Sequence, residues 1–84
     1  MIKTHTIETK VTAEGQAYKL VSHKRGVCCH PSLDCPSSYS VVKINTSNID
    51  KEPTRAEIRK GWVYCDEDSS EAYSFFKTAG EPED

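Results

Sequence analysis

The sequence predicts a small α+β domain: an antiparallel sheet built as a β-hairpin, a cysteine loop and a β-α-β run, with one or two short helices. Three observations predict it. β-Branched and aromatic residues recur at period two through the first half of the chain. Two later segments open on residues at capping spacing and close on glycine. A length of 84 residues leaves room for one domain. That domain is expected over 1–80, with a disordered acidic tail, EPED, at 81–84.

The first strand is written in Ile2, Thr4, Thr6, Ile7, Thr9, Val11 and Thr12, with Ile7, Thr9 and Val11 expected on one face. AEGQ then turns the chain, Gly15 being free to take positive φ. AYKLVSHK returns as a second strand, with Tyr18 and Leu20 on one face and Ala17, Val21 and His23 on the other. The hairpin runs straight into VCCHPSLDCP, where Pro31 and Pro36 remove backbone donors and oppose regular pairing. YSVVKINT is a third strand. PTRAEIRKG sets Thr54 and Glu57 at capping-box spacing, Arg59 and Lys60 at the favourable end of the helix dipole, and Gly61 as the stop. WVYC reads as a fourth strand with Trp62 and Tyr64 on one face. DSSEAYSFFKTAG is a second helix, opened by Asp68 and Glu71 and striped by Ala72, Phe75, Phe76 and Ala79. Phe75 and Phe76 are adjacent, so only one faces the core; the other covers a sheet edge or meets a partner.

The core is thin. Leu, Ile, Val and Phe fill only 15 of 84 positions, and the net charge of −2 is too small for a disordered chain. A chain of this length buries about 60–65 % of its unfolded surface, and domains so placed usually add a metal, disulfides or a partner. No secretory signal and no long apolar run is visible, so a cytoplasmic location is expected, where clustered thiols favour metal over disulfide.

The donors for such a metal are Cys28, Cys29, His30, Cys35 and Cys65, with Asp66 or Asp68 as oxygen alternatives. Zinc takes four ligands in tetrahedral geometry, commonly from a tight knuckle and a distant element. Adjacent side chains on extended backbone point apart, so the expected quartet is Cys28, His30, Cys35 and Cys65, with Cys29 turned into the core. Reduced thiols and disulfides remain the alternatives. His5 and His23 face each other if the hairpin pairs, but lone surface histidines are the commoner outcome.

Cysteines in a loop after a hairpin, then a strand, then AEIRKGWVYC, resemble the layout of small bacterial and phage zinc-ribbon-like proteins. In those a helix ends in Gly-Trp and a short strand delivers the last zinc-binding cysteines. The resemblance covers residues 28–65 and rests on Cys28, Cys35, Ala56, Gly61, Trp62 and Cys65. It implies zinc stapling and an accessory role in phage biology. The chain departs from that pattern in lacking CxxC knuckles.

Function follows from what is present. No Gly-rich phosphate cradle and no paired-carboxylate cleft occurs, and a thin core seldom encloses a substrate pocket, so catalysis is not expected. The leading expectation is a protein-binding module of the phage inhibitor or adaptor kind, stabilised by structural zinc. Its contacts would be Trp62, Tyr64, Asp66, Glu67, Asp68 and Phe76, drawn from exposed aromatics and an acidic C-terminal half. An edge strand offers a route to a homodimer. The alternative is a zinc-stabilised nucleic-acid binder using His23, Lys24, Arg25 and Lys43, although HKRG is a short basic run. A cysteine redox protein is the third reading. No membrane association is expected.

Overall fold

The computed structural model describes residues 4–28 and 35–80; Cys29, His30 and the tail expected at 81–84 lie outside the described residues. The predicted α+β architecture is present. The elements run β1 (His5–Val11), β2 (Ala17–Ser22), β3 (Tyr39–Ile44), a 3-10 turn (Thr46–Asn48), α1 (Arg55–Lys60), β4 (Trp62–Asp66) and α2 (Ser69–Thr78). The strands form one antiparallel sheet in the order β1-β2-β3-β4.

Alternation along the two central strands builds a core on each face. Ala17 and Val21 of β2, with Val42 and Ile44 of β3, pack against Val27, Cys28 and Ile58. Tyr18, Leu20 and Val41 face the other way and receive Ala72, Phe76 and Ala79. Splitting a small apolar inventory over two faces leaves each layer shallow, so the tethers around it matter. Lys19 is buried among the first set, and its ammonium donates to the Lys51 carbonyl. Glu52 accepts from both the backbone N–H and the hydroxyl of Thr6, binding the segment before α1 to the outer edge of β1.

β1 departs from the expected pattern. Register shifts between Thr6 and Glu8, so Ile7 sits in a bulge, and Ile7 and Val11 are 45 % and 50 % exposed. The bulge breaks the face that Ile7, Thr9 and Val11 were expected to share. Gly15 takes the positive φ expected of it, +87°.

α1 starts as its sequence dictates. Thr54 Oγ1 accepts from the Glu57 N–H at 3.2 Å, and Glu57 Oε1 accepts from the Thr54 N–H at 3.0 Å, closing the capping box. Hydrogen bonding to the carboxyl from Thr54, the backbone N–H first, holds Glu57 below its ordinary pKa. Replacing Thr54 with Ala is expected to cost about 1 kcal/mol, read as a lower urea midpoint with an unchanged slope. Arg59, half-buried on α1, keeps Nε and Nη2 buried without a hydrogen-bond partner among the described residues, an offsetting cost.

Gly61 closes α1, but not as a left-handed cap: its φ is −97°. Its smallness serves a close approach instead. The Lys43 N–H donates to the Gly61 carbonyl at 2.7 Å, and a Cβ on Gly61 would overlap the Lys43 carbonyl oxygen. α2 is capped by Asp68, whose Oδ1 accepts from the Ser70 N–H at 2.9 Å; Glu71 lies in the first turn, where its charge favours the helix dipole. No helix among the described residues is long and apolar enough to cross a membrane.

Candidate metal centre

Topology brings the distant cysteine home. β4 runs antiparallel to β3, so the end of β4 lies beside the start of β3, which is also where the β2–β3 connection returns. Cys65 pairs with Ser40 in that ladder. Cys28 lies in the turn after β2, and Cys35 in the segment leading into β3. The three sulfurs lie within 4.8 Å of one another.

That geometry suits a metal. Zinc–sulfur bonds of about 2.3 Å at tetrahedral angles place neighbouring sulfurs about 3.8 Å apart. Cys28 Sγ and Cys35 Sγ are separated by 3.8 Å, already one edge of such a tetrahedron and far beyond a disulfide bond. Cys28 is buried, Cys35 and Cys65 half-buried, and all three rest on the Val21–Val42–Ile58 cluster, which keeps water from one side. An all-thiolate set selects soft or borderline ions such as zinc over magnesium or calcium. Of the expected quartet, the structure gathers Cys28, Cys35 and Cys65. His30, expected as the fourth ligand, and Cys29, expected in the core, lie outside the described residues.

His23 belongs to the interior. Its Nδ1 lies 2.7 Å from the Lys24 carbonyl, which can only accept, so Nδ1 carries the proton. Nε2 then accepts from the Ser40 hydroxyl at 2.6 Å. Both ring nitrogens are committed, and burial lowers the pKa below the ordinary 6.5. This overturns His23 as a surface cation for nucleic acid and as one of a facing histidine pair; His5, opposite Ser22, is exposed. Because the folded state resists protonation, the unfolded state binds more protons as pH falls below 6.5. Stability is therefore expected to drop between about pH 6.5 and the lower folded value. The slope should shrink in His23→Gln, and the wild-type minus variant difference in urea midpoint between about pH 7.5 and 5.5 isolates it from thiolate protonation.

The residues expected at an interface divide. Trp62 is 49 % exposed at the start of the edge strand. A register shift between Val41 and Val42 sets Trp62 opposite Val42 and Tyr64 opposite Val41, so the two aromatics stand on different faces, contrary to expectation. Tyr64 stacks on Phe75 at 4.4 Å between ring centroids. Its hydroxyl donates to Asp66 Oδ2 at 2.6 Å, which pushes the phenol up to about 12 and holds Asp66 below the ordinary carboxylate value. Asp66 Oδ1 also accepts from the Asp68 N–H. Two of the expected contact acids, Asp66 and Asp68, thus organise the start of α2, while Glu67 is exposed.

Phe76 is corrected outright. It is 3 % exposed within the core, so it presents no surface to a partner. Sequence reasoning missed Tyr73, 41 % exposed on α2, and Ser40, which orders His23; the register that pairs Ser40 with Val21 and Cys65 has no local signal. Compared with protein-family models, curated proteins and solved structures, the chain gives no match.

Proposed function

We propose that this chain is a small protein-binding module whose sheet is clasped by one structural zinc ion, held by Cys28, Cys35 and Cys65 and completed by a fourth donor. The observation that carries the metal half is the convergence of three sulfurs, from two segments far apart in sequence, within 4.8 Å. Bound there, the ion supplies cross-linking and no chemistry. Three thiolates from this chain would hold it, and the energy of binding becomes folding energy.

The binding half is supported by Trp62, a large exposed aromatic on an edge strand, with Glu67 close by in sequence and Tyr73 exposed on the neighbouring helix. An inhibitor or adaptor role on a host protein fits that surface. The nucleic-acid reading is weakened by the loss of His23 to the interior, although Lys24, Arg25 and Lys43 are exposed.

The test uses the zinc-loaded chain and a Trp62→Asp variant, whose fold is checked by circular dichroism, as matched baits for proteins of the source cell. One partner retained by the wild type and lost with the variant is expected. Identical retention by both baits, or none by either, contradicts the reading. Fluorescence anisotropy with duplex and single-stranded oligonucleotides at low salt should show no binding; a strongly salt-dependent complex would favour the alternative.

A further inference from the structure

The two cysteines at the ends of the β2–β3 connection are placed for more than ligation. The His23 N–H donates to the Ser38 carbonyl at 2.9 Å and the Gly26 N–H to the Ser37 carbonyl at 3.0 Å. The two backbones therefore continue side by side beyond the ladder, towards Cys28 and Cys35. Their sulfurs stand 3.8 Å apart, against the about 2.05 Å of a disulfide. Rotation about a Cα–Cβ bond moves a sulfur by more than that gap. Cys65 is situated differently, in the β4 ladder opposite Ser40.

We propose that Cys28 and Cys35 form an oxidation site, at which a peroxide-class oxidant makes a disulfide and ejects the metal. Ejection rests on the zinc reading above; the disulfide rests on the sulfur geometry alone. Cys35 is half-buried and Cys28 is 5 % exposed, so peroxide meets Cys35 first. The Cys35 thiolate attacks one peroxide oxygen, the O–O bond breaks, and sulfenic acid and hydroxide result. The Cys28 thiolate then attacks the Cys35 sulfur and a second hydroxide leaves. In sum two thiolates and one hydrogen peroxide give one disulfide and two hydroxides; each sulfur gives up one electron and the two oxygens accept them. A disulfide sulfur is a poor zinc ligand, so the ion departs and β4 loses its tie to the loop while the loop ends stay joined. Reductant and zinc together reverse the change.

The experiment treats the zinc-loaded full chain with one equivalent of hydrogen peroxide, follows zinc release with a chromogenic chelator, and maps cysteines under non-reducing conditions. Expected are zinc release at least about tenfold faster than without peroxide, a peptide pair joined through Cys28 and Cys35, and Cys65 still open to alkylation. A disulfide that includes Cys65 or Cys29, sulfinic acid at Cys35 without a disulfide, or a Cys28–Cys35 bond with zinc retained overturns the proposal. A chain that takes up no zinc at the outset defeats the metal reading instead. In that case the same map, run on the reduced metal-free chain, still decides whether Cys28 and Cys35 are the pair that oxidises.

Discussion

Stripping zinc from the reduced protein is expected to abolish its cooperative unfolding transition, and Cys65→Ser should do the same at ordinary zinc concentrations. The magnitudes decide this. A structural zinc site contributes about 10–16 kcal/mol of apparent binding energy near pH 7. A domain of 84 residues has a net stability of only about 4–13 kcal/mol. Losing the site therefore removes as much as the fold possesses. The sheet has little in reserve, because its apolar residues are divided over two shallow layers. Cys65 is the decisive position: through the proposed ion it would tie the last strand to the β2–β3 connection, whereas Cys28 and Cys35 would close only that connection. Thermal scans by circular dichroism, with zinc, with chelator and with zinc restored, measure the effect. A wild-type transition that chelator leaves within about 4 °C would limit the ion's share to roughly 1 kcal/mol.

Gly61→Ala is the substitution outside the cysteines expected to do most harm, about 3–5 kcal/mol. The new methyl would overlap the Lys43 carbonyl oxygen and stand 3.2 Å and 3.3 Å from the Lys43 carbonyl carbon and nitrogen. Backbone cannot step aside as a flexible side chain would. Relief requires lengthening the 2.7 Å bond from the Lys43 N–H to the Gly61 carbonyl, the link that registers the start of β4 against β3. Because Cys65 lies four residues on, that slip should also weaken zinc binding. Urea denaturation and competitive zinc titration of the variant check both effects. Gly15→Ala is a useful contrast: its φ of +87° is strained for alanine, yet nothing lies within 4 Å of the new methyl, so its cost should be smaller.

The features legible in the sequence are those decided locally. Thr54 and Glu57 close their capping box three residues apart, whatever the rest of the chain does. The alternation in AYKLV names both faces of β2 correctly, because a central strand without a bulge keeps its period. Cys65 is expected in one ligand set with Cys28 and Cys35 from residue type alone; the β3–β4 ladder that carries it beside them has no local signal. Bulges were not legible either. Nothing in HTIETKV or WVYC marks Ile7 or the Trp62–Tyr64 stretch as irregular, since a bulge is settled by the partner strand's register and by Gly61 against Lys43. One such slip sends Trp62 and Tyr64 to different faces. Phe75 and Phe76 posed a related problem: both fit a stripe with Ala72 and Ala79, and only docking against Tyr18, Leu20 and Val41 selects Phe76 for the core. The alternation puts His23 on the face of Ala17 and Val21, but its burial and neutral tautomer depend on Ser40, a partner 17 residues away, and so escape a local reading.

The central claim is that zinc is held by sulfur drawn from the β2–β3 connection and from β4 at once. Zinc-edge X-ray absorption on the isolated 1:1 complex tests it most directly. The account predicts a first shell dominated by at least three sulfurs at about 2.3 Å, falling by one in Cys65→Ser loaded by raising the zinc concentration. A shell of oxygen and nitrogen alone, or a sulfur count that Cys65→Ser leaves unchanged, would contradict it.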